Sequence, residues 1–84
     1  MFSVYILKSQ KDKGFYVGYT SDIERRIREH NNKSTRSTKY KGPWVLAYKE
    51  EFSTKAEAWK RERQIKKYKG GEAFKKLVNS GGVA

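Results

Sequence analysis

Cysteine is absent from this sequence of 84 residues, and proline occurs only once. Without thiols the chain has no disulfide, no thiolate nucleophile and no cysteine-ligated zinc site. It also has no apolar run close to the roughly 18–20 residues that span a membrane, and no secretory signal pattern comes before its first apolar stretch. We therefore expect a cytoplasmic protein that does not act at a membrane.

Acidic residues are also scarce. Asp and Glu number 9 against 20 Lys and Arg, which gives a net charge of +11 and a pI near 10.0. No carboxylate occurs between His30 and Lys49, a stretch that is rich in Lys and Arg. A field of this strength attracts polyanions, so nucleic acid is the expected partner, with a merely solubilising basic surface as the alternative.

Hydrophobic residues make up only 36% of the chain, but many are aromatic and bury a large area each, which favours a thin two-layer core. Alternation of apolar and polar positions predicts strands over residues 2–8, 15–20 and 44–52, the first two joined by a hairpin loop over 9–14. On the third strand, one face is predicted to carry Trp44, Leu46, Tyr48 and Phe52.

Two capping boxes predict where helices begin. Ser21 precedes Glu24 by three residues, and Thr54 precedes Glu57 by the same distance. In each pair the hydroxyl accepts a bond from a backbone N–H of the first turn, and the Glu side chain reaches back to the cap. We therefore expect Ser21 and Thr54 to be N-caps of the first and second helices.

The first helix should end near residues 30–32, where Asn tolerates the left-handed conformation of a C-cap, and the second near Tyr68. Apolar spacing predicts a short third helix over residues 72–78. The predicted order is β-β-α-β-α-α, a minimal α+β domain in which helices cover a three-stranded antiparallel sheet. We assign residues 1–79 to this single domain and residues 80–84 to a loose C-terminal tail.

The core-facing stripe of the first helix is interrupted by two polar side chains. Helical spacing from Ile23 selects Ile23, Arg26, Ile27 and His30. A buried guanidinium is unfavourable unless it is paired or lies at a water-accessible site. Both residues also have a purely structural interpretation. Arg26 can form an ion pair with Asp22 four residues before it. His30 is near the C-terminal end of the helix, where the helix dipole favours a positive charge.

A similar interruption occurs on the second helix, where the stripe consists of Ala58, Trp59, Glu62 and Ile65. Glu62 occupies a position where an apolar residue is expected. The alternative is a surface carboxylate that pairs with its basic neighbours along the helix. Taken alone, this signal does not distinguish a functional Glu from a structural one.

Two tyrosines, Tyr5 and Tyr16, lie on the first two predicted strands, where they can share one face of the sheet; each alone is typical of a half-buried sheet aromatic. With Arg26, His30 and Glu62 they form a set suited to phosphodiester hydrolysis. Arg would stabilise the charged transition state, a lone Glu would hold one Mg²⁺, and Tyr or His would relay a proton. A two-metal site usually needs several convergent carboxylates, so a one-metal site is the better fit.

The combined pattern resembles the GIY-YIG nuclease family, which is named for two tripeptides about ten residues apart. Ser3-Val4-Tyr5 matches the first, with Ser in place of Gly, and Tyr16-Val17-Gly18 matches the second. The downstream Arg, His and Glu of the family fall on Arg26, His30 and Glu62. The resemblance extends from residue 2 to about residue 68, and it is closest to the small stand-alone bacterial members.

This resemblance implies a role for each matched residue. Glu62 would coordinate a single divalent cation, Mg²⁺ with Mn²⁺ as a substitute, and Arg26 would bind the scissile phosphate. One of Tyr5 and Tyr16 would take the proton from the attacking water, while the other would hold the phosphate or a metal-bound water. His30 would orient a catalytic group or contact the phosphate. Which tyrosine is the base stays open at this point.

The sequence departs from the family pattern in places. Ser3 replaces the first motif's Gly, and Tyr19 follows the second motif where a small or basic residue is frequent; we assign Tyr19 to the core. The family often has an Asn after the metal-site helix, and Asn79, the only late candidate, receives no role.

The implied function is a metal-dependent endonuclease that hydrolyses DNA by direct water attack, in repair or recombination by analogy with relatives. Gly18 would let DNA approach the backbone, and a basic loop over residues 33–43 would track the phosphates non-specifically. That loop contributes Lys33, Arg36, Lys39 and Lys41. Specificity would come from DNA structure or from a protein partner. The alternatives are a non-catalytic nucleic-acid-binding module and an RNA-directed protein.

Overall fold

A computed structural model describes residues 1–11, 14–32, 42–68 and 71–80. The elements follow the predicted order β-β-α-β-α-α, which confirms the α+β class. They are β1 (Phe2–Ser9), β2 (Phe15–Thr20), α1 (Ile23–Asn31), β3 (Trp44–Phe52), α2 (Lys55–Lys67) and α3 (Glu72–Ser80). No helix among the described residues is long and apolar enough to cross a membrane.

The sheet is antiparallel with strand order β2-β1-β3, so β1 is the central strand. Each residue from Val4 to Leu7 exposes at most 1% of its surface, because both faces of the strand are covered. One face packs against α1, and the other packs against α2 and α3. The two-layer core expected from composition is therefore a three-layer arrangement around one short strand.

A register shift in the pairing of β1 with β3 corrects the predicted face of the third strand. Ile6 pairs with Tyr48, but the next residue, Leu7, pairs with Leu46, so Ala47 is the extra residue of an irregularity on β3. An extra residue reverses the alternation of faces beyond it. Trp44 and Leu46 therefore join the α1 side of the sheet. Tyr48 and Phe52 join the opposite side.

The N-cap of α1 is Asp22 and not Ser21, which is a correction to the prediction. The Asp22 carboxylate accepts a 3.1 Å hydrogen bond from the backbone N–H of Arg25, so α1 begins one residue later than a Ser21 cap would require. At the other end Asn32 has a φ of −88° and is not left-handed as expected. The second capping box is confirmed, because the Thr54 and Glu57 side chains each bond to the other's backbone N–H.

Trp59 does not belong to the buried stripe of α2. Ala58 and Ile65 are fully buried, but the Trp59 side chain is 45% exposed. The reason is geometric, because Trp59 is about 100° around the helix from Ala58 and points away from the sheet.

The third helix continues to Ser80, two residues beyond its predicted end, and Asn79 is an exposed residue of that helix. Residues 81–84 lie outside the described residues, and the proposed domain boundary stays a prediction.

Candidate active site

Tyr5 and Gly18 lie opposite each other on β1 and β2. The Tyr5 ring covers the backbone of Gly18: a Cβ atom at that glycine would come within 2.7 Å of the Tyr5 hydroxyl and 2.9 Å of Cζ. Tyr16 is on the same face, with its ring centroid 6.3 Å from that of Tyr5. The two motif tyrosines thus share a face, as predicted, and Gly18 provides the space that Tyr5 occupies.

Substituting Gly18 by Ala should therefore destabilise the protein by about 1–3 kcal/mol, the usual range for overpacking a buried site. The expected cause is displacement of the Tyr5 ring, since Gly18 is itself buried and its neighbours are packed. Urea unfolding of the Gly18→Ala variant measures the change. In a Tyr5→Leu background the same substitution should be less destabilising, because the shorter side chain removes the clash. An equal penalty in both backgrounds would contradict this account.

His30 lies in the α1 layer directly above the tyrosines. Its side chain is fully buried, and its Nε2 is 3.3 Å from the Tyr5 hydroxyl. The ring centroids of His30 and Tyr16 are 4.7 Å apart. Burial, and secondarily the charge of Arg26, lowers the pKa of His30. The neutral ring can therefore accept a hydrogen bond from the Tyr5 hydroxyl at Nε2, provided that the ring's own proton is on Nδ1.

Because the pKa of His30 is lower in the folded state than its ordinary value of 6.5, protonation favours unfolding. The stabilisation is fully present above pH 6.5 and is lost as the pH falls below that value through the lower pKa of the folded state. We expect the melting temperature to fall between pH 7 and pH 5, measured by circular dichroism. His30 is the only histidine, so His30→Gln should flatten this part of the profile. An unchanged slope in that variant would rule out His30 as the cause.

The Arg26 guanidinium is next to both tyrosines. Its Nη1 donates a 3.0 Å hydrogen bond to Oε1 of Glu29, and hydrogen bonds to Glu29, Tyr5 and Tyr16 raise its pKa, so it stays charged. Asp22 is the N-cap and not the partner of Arg26. Burial raises the pKa of Tyr5 to about 12, although the hydrogen bond from Arg26 opposes the rise. Arg26 thus places a fixed positive charge at the Tyr5 hydroxyl, where an anionic phosphate group would be stabilised.

Glu62 approaches the site from α2, and its side chain is 13% exposed. Burial is the main cause of the raised pKa of Tyr5, and the charge of Glu62 makes a small further contribution, so the carboxylate lies within electrostatic range of the tyrosine hydroxyl. Oε1 of Glu62 is paired with Nζ of Lys66 at 2.7 Å. Lys66 is 54% exposed and lies on a flexible stem, so it can turn away from the carboxylate at little cost.

The donor set fits one hard divalent cation held mainly by solvent. No group of three or more His, Asp or Glu side chains clusters within residues 1–11, 14–32, 42–68 and 71–80. A single carboxylate is compatible with Mg²⁺, which keeps several waters and takes further oxygen ligands from substrate phosphates. Glu62 is the residue that would hold such an ion.

A contact between α1 and β3 was not predicted from the sequence. The Asn31 side chain donates to the carbonyl of Trp44 at 3.2 Å and accepts from the Trp44 N–H at 2.6 Å. The Trp44 ring then lies 6.4 Å from the rings of both His30 and Tyr16. Asn31 therefore anchors the end of α1 and orients the residue before it. Only its position directly after His30 hints at this role in the sequence.

Four predicted DNA contacts, Lys33, Arg36, Lys39 and Lys41, lie outside the described residues and stay predictions. The structure brings together Tyr5, Tyr16, Arg26 and His30, and Glu62 has a small electrostatic effect on Tyr5. The contact of Gly18 with DNA stays a prediction, while its contact with Tyr5 is direct. Tyr19 packs against the core, as expected.

Comparison with known proteins identifies the same family as the motifs. The family model of the GIY-YIG catalytic domain matches residues 1–76. A UPF0213 protein of Staphylococcus saprophyticus is 44% identical over 79 residues, covering 93% of this chain and 94% of that protein. A UPF0213 protein of Clostridium perfringens is 48% identical over 65 residues, covering 76% of this chain and 69% of that protein.

The solution NMR structure of a UPF0213 protein from Bacillus halodurans has the same fold, with a TM-score of 0.60 and 33% identity. The match covers 98% of this chain and 88% of that one. A GIY-YIG domain implies nuclease-type function with DNA as the substrate, and these nucleases generally use divalent metal ions. The motif spacing, the fold and these relatives agree, and the chain belongs to the GIY-YIG family, among its small UPF0213 members.

Proposed function

We propose that this protein is an endonuclease that hydrolyses DNA phosphodiester bonds by direct attack of water, with a single divalent cation, Mg²⁺ or Mn²⁺, at Glu62. The observation that carries the proposal is the convergence of Arg26 on the hydroxyls of Tyr5 and Tyr16, with His30 behind them. A cation, two phenols and a neutral imidazole in one partly buried cluster are chemically suited to an anionic substrate and a proton transfer.

Arg26 would bind the scissile phosphate. Its planar fork of N–H donors matches two non-bridging oxygens, and its charge offsets the negative charge that grows in the transition state. Glu29 already holds one side of the guanidinium, so the group is oriented before substrate arrives. An oriented cation stabilises the transition state without the cost of reorganisation.

Tyr5 would pass the water proton to His30. The hydroxyl of Tyr5 would accept the proton of the attacking water while giving its own proton to Nε2 of His30, 3.3 Å away. A concerted transfer avoids a free phenolate, which the raised pKa of Tyr5 disfavours. The water oxygen would then bond to phosphorus, and the bond to the leaving oxygen would break; that oxygen would depart with the electron pair and take a proton from solvent. Tyr16, which is half-buried, would hold the phosphate or a bound water.

Glu62 would hold the divalent cation, and Lys66 would release the carboxylate to allow this. When bound there, the ion would supply Lewis-acid stabilisation of the phosphate oxygens and would acidify a nearby water. Lys33, Arg36, Lys39 and Lys41 would contact flanking phosphates, with specificity set by DNA structure or by a protein partner. We place the activity in the cytoplasm and in DNA repair or recombination.

A substrate panel tests this function. The pure protein is incubated with flapped, branched and plain duplex DNA, and with RNA of the same sequence. We expect nicking of at least one DNA substrate with Mg²⁺ or Mn²⁺, and loss of nicking after chelation by EDTA. If every DNA stays intact although it is bound, the protein is a non-catalytic binding module. Cleavage of the RNA alone would indicate an RNA-directed nuclease.

A further inference from the structure

One face of α2 carries an exposed aromatic among cations and borders Glu62. Trp59 belongs to neither core cluster and is 45% exposed. Residues four, seven and eight positions after it lie on the same side of the helix, and Lys60 lines a second depression together with Trp59. The α2 strip, as we call this surface, consists of Trp59, Lys60, Arg63, Lys66 and Lys67.

The α2 strip contains a shallow groove that is open to solvent. A depression of about 380 Å³ is lined by Trp59, Arg63, Lys66 and Lys67, together with Glu62 at its border. Glu62 is the single carboxylate lining it in the described part of the chain. The groove is therefore strongly positive, apart from the residue proposed to hold the cation. Its charge complements a polyanion and not a basic or neutral partner.

The guanidinium of Arg63 lies over the indole of Trp59, with Cζ 4.8 Å from the ring centroid. This cation–π contact holds two flat groups together at the surface. Both a guanidinium plane and an aromatic ring are surfaces on which an unstacked base can pack. Bases inside a duplex are already stacked on each other, so their faces are not available to pack on such a platform. The aromatic component therefore selects for unpaired nucleotides.

From this we infer that the α2 strip binds a single-stranded segment of the DNA substrate, with a base on Trp59 and phosphates along Lys60, Arg63 and Lys67. The inference rests on the proposed function for its link to cleavage. Trp59 and Glu62 are three residues apart, a rise of about 4.5 Å along the helix. The unpaired nucleotide would then be within about two nucleotides of the cut, given roughly 3.4 Å per nucleotide along a strand. The substrate class is DNA with a junction between paired and unpaired strands.

Binding measured without divalent cation tests the α2 strip independently of catalysis. Fluorescence anisotropy of labelled oligothymidine and of a labelled duplex is recorded in EDTA. Trp59→Ala should weaken oligothymidine binding roughly 5- to 150-fold, the range for loss of one stacked base, and should leave duplex binding within about twofold. Trp59→Phe should restore most of the loss. Trp59 is half-exposed, so these variants should fold normally.

A charge variant and its matched control complete the design. Lys67→Gln should weaken oligothymidine binding and lower the slope of log K against log salt by about 0.7. Lys76→Gln removes the same charge from an exposed position on α3 and should leave the slope unchanged. On a flapped duplex, Trp59→Ala should also lower cleavage while leaving the cleavage of any plain duplex unaffected.

Three results would overturn the inference: oligothymidine binding unaffected by Trp59→Ala, equal weakening for oligothymidine and duplex, or a Trp59-dependent response to phosphatidylserine vesicles alone. Failure of the proposed function looks different. If no DNA is cut but oligothymidine binding depends on Trp59, single-strand binding by the α2 strip is supported and the nuclease proposal is wrong. If DNA is cut but Trp59→Ala has no effect on binding, the nuclease proposal is supported and single-strand binding by the α2 strip is wrong.

Discussion

Glu62→Gln should reduce DNA cleavage by at least about 10²–10³-fold, the usual effect of removing one group that stabilises transition-state charge. Glutamine keeps the shape of the side chain but loses the negative charge, so the divalent cation would no longer be held. Only the i,i+4 pair with the half-exposed Lys66 is lost, which is worth about 0.3–0.5 kcal/mol. Folding should therefore be intact while the single-turnover rate collapses.

Glu51→Gln on β3 is the matched control, because Glu51 is exposed and the substitution removes the same charge. It should cut DNA at the parental rate. A second readout is the Mg²⁺ concentration for half-maximal rate, which should rise strongly for Glu62→Gln and stay constant for Glu51→Gln. If a well-folded Glu62→Gln protein cleaved DNA at the parental rate, the assignment of Glu62 to the active site would be wrong.

Arg26→Ala should lower the cleavage rate by about 10²–10³-fold as well, and Arg26→Lys should recover only part of it. Lysine keeps a positive charge but has no planar fork that can bind two phosphate oxygens at once. The loss of the hydrogen bond to Glu29 should change stability little, because both side chains are about one-third exposed. The pKa of Tyr5 should rise further, since the hydrogen bond from Arg26 lowers it.

The matched control is Arg28→Lys, an exposed residue two positions along the same helix. Single-turnover cleavage of one DNA substrate by all three variants separates a specific role of the Arg26 guanidinium from a general effect of replacing arginine by lysine on α1. If Arg28→Lys is as defective as Arg26→Lys, the guanidinium of Arg26 has no special role. If Arg26→Ala keeps the parental rate, another group binds the phosphate.

Local patterns predicted most of the fold because the signals are short in range. The strand bounds of β2 and β3, the Thr54 cap and the element order follow from alternation and capping chemistry within a few residues. The cap of α1 was wrong because Ser21 and Asp22 are adjacent and both are good caps. The carboxylate of Asp22 reaches the Arg25 N–H, and that bond sets the start of the helix.

The face of β3 was also predicted incorrectly, for a reason that no pattern within the strand reveals. The register shift at Ile6 and Leu7 arises from pairing between distant strands. It moves Trp44 to the α1 side, where the Trp44 ring packs beside His30. Exposure of Trp59 has a similar origin, because the sheet determines which sector of α2 is covered.

The sequence by itself determined the class of the fold, the family and the residues of the candidate site, since Arg26, His30 and Glu62 interrupt apolar stripes and therefore stand out. The tertiary structure alone decided how these residues meet. Tyr5 lies over Gly18 and against His30 because β2 and α1 pack on the same central strand. It also decided that Trp59 is exposed next to Glu62. Contacts between distant segments depend on register and packing, which local periodicity does not encode.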